Sequence, residues 1–328
     1  PSGFATLCGI TTHSMKRLLL SLLLFPYFLF AEERFSFEQP LMGTLFKITC
    51  YAPNKTLAEK AAKEAFAEAE KINEVGSDYI ADSELLGLSK KSIDAPITVS
   101  PLLYQLVSEA KQMAELTDGA YDPTIGPLTK LWRESRRRHA LPTDAVLASA
   151  KASTGHQHLI CDPSSKSLIM KKAGMRLDLG GIAKGQAADA MLAVFFRYDL
   201  PSTSITAGGD VRLGNPPPGA KGWQVGVRTF DKNKETATLT LANCAVSTSG
   251  DLQQSIEING VHYAHIIDPA TGLGLTKPVA ATVIAPTATQ SDALATACCV
   301  LTPDAAKKLI SRIPQCILHL STAAREPQ

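Results

Sequence analysis

The sequence has no excess of charge of one sign and few aromatic residues. Lys and Arg together number 33 against 31 for Asp and Glu, and aromatic residues make up 6% of the 328-residue chain. A protein that binds nucleic acid broadly needs a positive field, and one that stacks bases needs aromatic side chains. Neither is present, so nucleic acid is not expected as a partner. The local basic run at residues 133–139 is interpreted as a solvated helix face.

The signatures of several enzyme and metal-binding classes are also absent. The chain contains no G-x-x-x-x-G-K-[ST] phosphate loop, no G-x-G-x-x-G dinucleotide motif and no G-x-S-x-G nucleophile elbow. Its seven cysteines include no C-x-x-C pair and no zinc-finger spacing. Most of them are interpreted as buried free thiols, although export would permit a disulfide between an unidentified pair.

The N-terminal apolar run, residues 18–30, is shorter than the ~20 residues that a membrane-spanning helix needs. It follows the basic residues 15–17 (MKR) and ends at Ala31, before two glutamates. This order predicts a secretory signal peptide that is cleaved after Ala31, and the residues before Met15 are interpreted as an upstream extension of the reading frame. An uncleaved membrane anchor is the alternative.

The length allows one large domain or two intimately joined ones, and residues 32–328 are predicted to form a single domain with two intimately joined lobes. Helices are predicted at residues 57–73, 102–116, 128–136, 144–152, 292–301 and 304–310, and strands at 45–51, 159–161, 167–170, 203–207, 211–213, 223–228, 236–241, 244–246, 255–258, 261–267 and 279–285. Residues 79–91 are predicted to be a polar loop. Hairpin signals such as Asn259-Gly260 separate several strands. The predicted fold class is therefore α+β, with mostly antiparallel sheets and helices packed against them.

Residues 177–186 (LDLGGIAKGQ) are the first segment with a chemical implication. The pattern predicts a short strand that ends at Asp178, a glycine turn, and a helix that carries Lys184 in its first turn and continues to Tyr198. Glycines let backbone amides approach a ligand, and a helix N-terminus attracts anions. With the lysine, the segment predicts a site for a phosphorylated ligand. The alternative is an ordinary strand-to-helix connection whose glycines serve packing alone.

Residues 291–296 (SDALAT) are the second such segment. Ser291 is predicted to cap a helix, which places Asp292 and Thr296 four residues apart on one face. A carboxylate and a hydroxyl in this arrangement suit Mg²⁺, which prefers hard oxygen ligands and takes the rest from water and phosphate. Alternatively, Asp292 complements the helix dipole and Thr296 packs.

Eight motifs, in this order, resemble those of the ApbE-type FAD:protein FMN transferases. They are MGT at residues 42–44, Tyr79 followed by DSEL at 82–85, GAYDPT at 119–124, LDLGGIAKG at 177–185, AGGD at 207–210, VSTSGD at 246–251, HIIDPATG at 265–272 and SDALAT at 291–296. The resemblance covers roughly residues 35–312. It implies an ApbE-like, T-fold-related architecture and an exported enzyme, periplasmic or held at the inner membrane by an uncleaved N-terminal segment.

The resemblance also implies the reaction and its site. Such an enzyme takes FAD as substrate, uses Mg²⁺ and transfers FMN to a Thr or Ser of a membrane redox subunit, of the NADH:quinone or Rnf type, with release of AMP. By resemblance, the flavin nucleotide site would be lined by Met42, Tyr79, Ala120, Tyr121, Asp122, Asp178 and Lys184, together with Ile266 or Ile267. The Mg²⁺ would be held by Asp292, Thr296 and the backbone carbonyl of Gly181.

The nucleophile in this reaction is a hydroxyl of the acceptor, so the enzyme needs a general base. His265 is the candidate because an imidazole titrates near working pH; a structural histidine is the alternative, and Asp268 or Asp251 could serve instead. Two other functions stay open at this point. One is a Mg²⁺-dependent FAD pyrophosphatase, in which water replaces the hydroxyl. The other is a non-catalytic exported flavin carrier, which would not need the Asp292/Thr296 pair.

Overall fold

Helices and strands alternate irregularly along the computed structural model, which describes residues 32–227, 237–250 and 255–322. The strands are β1 (Glu33–Leu41), β2 (Thr44–Ala52), β3 (Ile97–Thr98), β4 (Leu159–Asp162), β5 (Ser167–Met170), β6 (Thr203–Ala207), β7 (Asp210–Leu213), β8 (Trp223–Val227), β9 (Ala237–Leu241), β10 (Ala245–Gly250), β11 (Ser255–Ile258), β12 (Val261–Ala264), β13 (Val279–Ala285) and β14 (Ile317–Thr322). The helices are α1 (Lys55–Gly76), α2 (Glu84–Leu88), α3 (Pro101–Leu116), α4 (Gly126–Arg138), α5 (Asp144–Ala152), α6 (Ala183–Arg197), α7 (Ala288–Val300) and α8 (Pro303–Ile310). The predicted signal peptide and Asp251 lie outside the described residues.

A seven-stranded sheet in the order β1-β2-β6-β7-β10-β13-β14 is the largest sheet, and every pair in it is antiparallel. Helices α1, α6 and α7 pack beside one another and against this sheet. The buried face of α1 consists mostly of alanines, which let α6 approach closely. Strand β13 is buried along its whole length, as expected for a near-continuous apolar run in the interior of a covered sheet. The α+β prediction is confirmed.

Three smaller sheets complete the β structure of the described residues. A three-stranded sheet has the order β3-β5-β4, and β8–β9 and β11–β12 are separate hairpins. The β11–β12 turn uses Asn259 and Gly260, both at positive φ, as the sequence predicts. Helix α4 packs on this hairpin through Trp132 and Tyr263, whose ring centroids lie 5.4 Å apart in an edge-to-face arrangement.

Four local predictions are wrong. Residues 177–179 form no strand, and the region contributes only an isolated bridge between Ile125 and Arg176. The predicted loop 79–91 contains helix α2. Strands β6 and β7 form a hairpin instead of one continued strand. Helix α7 begins at Ala288, because the Thr287 hydroxyl caps it by accepting from the Gln290 N–H at 3.2 Å.

Asp189 on α6 fixes the position of the α7 start. Its two carboxylate oxygens accept from the Ala288 N–H at 3.0 Å and the Thr289 N–H at 2.8 Å. The same carboxylate accepts from Nε of Arg212, on β7, at 2.7 Å. One side chain therefore joins two helices and the sheet.

Among the described residues, no helix is both long and apolar enough to cross a membrane. The division into two lobes stays a prediction.

Candidate functional site

A cavity of about 290 Å³ lies among the α6 start, α7, the loop before α4 and the chain after β12. Most of the predicted site residues line it, although they come from four separate motifs. They are Ala120, Tyr121, Asp122, Asp178, Gly181, Lys184, His265, Ile266, Ile267, Asp292 and Thr296. The fold thus brings the predicted metal residues, the predicted base and most of the predicted nucleotide residues to one place.

Three predicted residues lie outside this cavity. Met42 and Tyr79 line a second cavity of about 100 Å³, which shares Gly180 and Lys184 with the first and so adjoins it. Met42 reaches that position because it occupies the tight β1–β2 turn. Asp268 lines neither cavity. Its carboxylate accepts from the Ala270 N–H at 2.8 Å and holds the turn after the site.

Lys184 lies between two buried carboxylates. Its Nζ is 3.2 Å from an oxygen of Asp210 and 3.2 Å from an oxygen of Asp292. Burial alone would lower the pKa of Lys184, but the two carboxylates outweigh it and raise that pKa above its usual value. The pKa of Asp292 is raised to about 6, first by burial and then by Asp210. Asp210 belongs to the AGGD motif, yet no role was predicted for it, because the sequence does not show that a hairpin turns it toward Lys184.

The start of α6 differs from the predicted anion site. The Gly185 N–H donates to Asp292 at 3.2 Å, and the Gly180 N–H donates to Asp178 at 2.7 Å. The protein's own carboxylates therefore use amide groups that the prediction assigned to a phosphate. A negative side chain at a helix N-terminus is stabilising, which explains the Asp292 contact. Lys184, which remains at the cavity wall, is the positive group of this segment that a ligand can reach.

Two oxygen-bearing side chains of α7 and the Gly181 backbone lie close together at the cavity. Asp292 and Thr296 lie one turn apart and both line the cavity. A Cβ built on Gly181 would be 3.1 Å from the Thr296 hydroxyl, so the Gly181 backbone lies directly against that hydroxyl. Ser249 holds the hydroxyl from the other side at 3.3 Å. A carboxylate, a hydroxyl and a backbone carbonyl are a donor set that fits Mg²⁺. No group of three His, Cys, Asp or Glu residues suited to a metal exists in the described parts of the chain.

Tyr121 carries a buried polar atom with no partner. Its hydroxyl makes no hydrogen bond in the described structure, although the side chain is buried in the cavity wall. Burial, followed by the charges of Asp178 and Asp292, raises the pKa of Tyr121 well above its usual value, so the hydroxyl stays protonated. An unsatisfied buried hydroxyl costs about 1–3 kcal/mol, and a ligand oxygen at this place would remove that cost.

Arg133 is a site residue that the sequence analysis assigned wrongly to a solvated helix face. Its guanidinium binds the buried Asp78 carboxylate through two contacts of 2.6 and 3.1 Å and lies 3.7 Å from Asp178. Burial, then Asp78, raise the pKa of Asp178, and the Gly180 N–H and Arg133 oppose this. The pairing joins residues 55 positions apart, so helix periodicity could not reveal it.

Asp122 shapes the loop that carries Ala120 and Tyr121. One of its oxygens accepts from both the N–H and the hydroxyl of Thr124 at 2.7 Å, and the other accepts from the His156 N–H at 3.0 Å. The carboxylate is thus engaged in local contacts while it also lines the cavity. These loop contacts explain the position of the Asp122 side chain. Its contact with the nucleotide stays a prediction.

Comparison with known proteins identifies the family. The model of the ApbE family matches residues 42–318. The chain belongs to the ApbE family. It is 32% identical over 299 residues to the FAD:protein FMN transferase of Treponema pallidum, covering 86% of this chain and 83% of the relative. It is 30% identical over 276 residues to the enzyme of the same name from Vibrio cholerae, covering 82% of each chain.

Solved structures of ApbE proteins share the fold. The crystal structure of the ApbE protein from Thermotoga maritima matches with a TM-score of 0.78 at 29% identity, covering 88% of this chain and 93% of that one. The flavin transferase ApbE from Vibrio cholerae also matches with a TM-score of 0.78, at 27% identity, covering 88% of this chain and 97% of that one. The predicted ApbE-like architecture is therefore confirmed.

Proposed function

We propose that this protein transfers the FMN part of FAD to a Thr or Ser hydroxyl of an acceptor protein, in a Mg²⁺-dependent reaction that releases AMP. Flavin transfer, the coarser part, follows from membership of the ApbE family and from the names of the relatives. The finer parts rest on one observation. A single cavity is lined by Asp292 and Thr296 of α7 together with Gly181, Lys184 and Tyr121.

The diphosphate of FAD is proposed to lie against α7 and the start of α6. Asp292, Thr296 and the Gly181 carbonyl would hold Mg²⁺, which when bound supplies charge neutralisation for the diphosphate and the leaving AMP. Lys184 is held in place by its two carboxylate contacts, and its ammonium offers a phosphate oxygen a charged donor. Phosphoryl transfer depends mostly on such positioning and electrostatic stabilisation.

The flavin is proposed to occupy the adjoining space between the two cavities. An FAD group that accepts from the Tyr121 hydroxyl would satisfy the atom that now has no partner. Tyr79 is 58% exposed, although its hydroxyl donates to Asn73 at 2.9 Å, so its ring is fixed at the edge and available for stacking. Met42 adds an adaptable apolar contact in the same cavity.

The acceptor hydroxyl must lose its proton as it attacks. His265 lines the cavity, and we propose it as the base. Asp268 is a weaker candidate because its carboxylate is engaged in the turn. We also propose that the protein acts after export, on a flavin-accepting subunit of a membrane redox complex of the NADH:quinone or Rnf type; the signal-like pattern of residues 15–31 supports export.

Co-expression with a candidate acceptor subunit tests the proposal, with covalent flavin fluorescence in a denaturing gel as the measurement. We expect a fluorescent acceptor band with the native enzyme, no band with Asp292→Ala or His265→Ala, and an unchanged band with the control Asp304→Ala, whose side chain is fully exposed on α8. The His265→Ala protein should still bind FAD. Transfer at the native rate by that variant would eliminate His265 as the base.

A second assay separates transfer from hydrolysis. The purified protein is incubated with FAD and Mg²⁺ alone, and free FMN and AMP are measured by chromatography. A transferase needs the acceptor hydroxyl, so little FMN should appear without it. Rapid release of both products without any acceptor labelling would identify an FAD pyrophosphatase instead. Full activity in excess chelator would contradict the metal requirement.

A further inference from the structure

A groove of about 690 Å³ lies between α4 and the start of β11. Lys130, Arg133, Arg136 and Arg137 line it from the helix, His139 lines it just after the helix, and Ser255 and Ile256 line it from the strand. None of these residues is acidic. The groove therefore presents one sign of charge in a protein whose total charge is nearly balanced, 33 basic against 31 acidic residues.

Most of this charge is not neutralised by the described residues. Arg133 is paired with Asp78, but no ion pair involves Lys130, Arg136 or Arg137 among the described residues. Glu134, on the same helix, pairs with Arg138 at 3.1 Å and leaves the groove residues uncompensated. The basic last turn also complements the helix dipole. That effect does not account for Lys130, which lies near the start of α4, or for the lack of carboxylates among the described residues that line the groove.

The groove is continuous with the cavity described above. Arg133 and Arg136 line both of them. A chain segment that lies in the groove is therefore led to the mouth of the cavity, where the proposed reaction requires a protein hydroxyl. A small phosphorylated ligand would not need a second basic surface outside the cavity, so a polypeptide is the occupant that this position favours.

We propose that this groove is the docking surface for the acceptor protein and that it recognises an acidic segment beside the acceptor Thr or Ser. The inference rests on the proposed transfer function and adds the chemistry of the partner. Exposed charge pairs contribute modestly to affinity, but several of one sign steer association and select against partners of the wrong charge. Binding should weaken with salt, because the Debye length falls from ~10 Å at 0.1 M to ~3 Å at 1 M ionic strength.

Three fluorescent twelve-residue peptides test this docking inference. Each has a central Thr, which is flanked by Glu residues in the first peptide, by Gln in the second and by Lys in the third. Binding to the FAD-loaded protein with Mg²⁺ is followed by fluorescence anisotropy. We expect the Glu peptide to bind roughly tenfold more tightly than the Gln peptide at low salt, and the Lys peptide to bind least. Equal binding of the Glu and Gln peptides would overturn the inference.

Charge reversal on α4 provides a matched pair of variants. Arg137→Glu changes a groove residue, whereas Arg138→Glu makes the same change one position away, outside the groove and in the same helical turn. We expect Arg137→Glu to weaken Glu-peptide binding roughly five- to tenfold and Arg138→Glu to change it less than about twofold. Equal effects of the two variants would refute a specific role for the groove. Arg137-dependent binding of single-stranded DNA or of anionic lipid vesicles, without binding of the Glu peptide, would assign the groove to a different partner and also overturn the inference.

FAD titration, followed by flavin fluorescence, distinguishes a failure of the docking inference from a failure of the proposed function. Both variants should bind FAD as the native protein does, because neither residue lines the cavity. If the native protein fails to bind FAD, the proposed function fails whatever the peptides do. If FAD binds and FMN is transferred to an acceptor with no preference for acidic flanks, only the docking inference fails.

Discussion

The substitution Gly185→Ala tests whether the close contact between α6 and α7 is needed to hold the site residues in position. A Cβ at this position would be 2.2 Å from the Ala288 carbonyl oxygen and 2.8 Å from the Thr289 nitrogen. Carbon and oxygen normally approach to ~3.3 Å, so an overlap of about 1 Å must be relieved. Both obstructing atoms belong to the backbone, which cannot turn away as a side chain can. The two helices must therefore separate.

The size of the effect follows from two opposing terms. Replacing a helical glycine by alanine favours the helix by about 1 kcal/mol. Overpacking costs about 1–3 kcal/mol, and an overlap with rigid backbone belongs at or above the upper end. Separation would also stretch the hydrogen bonds from the Ala288 and Thr289 N–H groups to Asp189 and from the Gly185 N–H to Asp292. We expect a net loss of about 2–3 kcal/mol, or roughly 3–5 °C in Tm for a chain of this size.

Thermal unfolding followed by circular dichroism measures the loss, and Gly87→Ala is the control. Gly87 also lies in a helix, α2, but a Cβ there meets nothing within 4 Å. The control should be unchanged or slightly more stable, because only the propensity term acts. FAD with Mg²⁺ should raise the Tm of the control as it does that of the native protein, and raise that of Gly185→Ala less. Equal Tm values for the two variants would refute the reasoning.

Three further predictions follow from individual side chains. Tyr121→Phe removes a hydroxyl without a partner, so stability should be unchanged or higher, while FAD binding by calorimetry should weaken by ~1 kcal/mol; undiminished affinity would contradict the proposed contact. Burial raises the pKa of Cys50 and of Cys298 to about 12, so both thiols should resist an aromatic disulfide reagent at pH 8 and react only in denaturant. Because unfolded thiols ionise near ~8.5, these residues should also destabilise the fold as pH rises from there to about 12. Arg133→Ala leaves Asp78 buried without its cation and should cost about 2–4 kcal/mol by denaturant unfolding; the double variant with Asp78→Asn should recover part of this, and additive losses would show that the pair is not coupled.

The sequence predicted correctly those helices and turns whose position depends on a few neighbouring residues. Helix α3 was predicted from residue 102 and begins at Pro101, because the Ser100 hydroxyl caps it by accepting from the Leu103 N–H and proline suits the first turn. The Asn259-Gly260 hairpin forms for the same kind of reason. Strands β1 and β14 were missed, and they are the two edges of the large sheet. Edge strands bury less of their surface, so the hydrophobic pattern that reveals a strand is weak there.

The parts of the site that were missed depend on contacts between distant residues. Arg133 looked like one of several solvated arginines, because the sequence does not show that Asp78 lies opposite it. Asp210 lay in a recognised motif, but its contact with Lys184 depends on the β6–β7 hairpin, which was predicted as one continued strand. The motif residues, in contrast, could be assigned to one site by resemblance, and the fold does bring most of them to one cavity.

The Asp189 contact has a consequence for how the enzyme tolerates change. One carboxylate ties α6 to α7 and to β7, so it holds the helix that carries Lys184 against the helix that carries Asp292. The positions of Lys184 and Asp292 therefore depend on a side chain that lines neither of the two cavities of the site. Random mutagenesis screened for loss of flavin labelling should accordingly recover Asp189 alongside the cavity residues, while the outer face of α4 remains free to diverge as acceptors diverge.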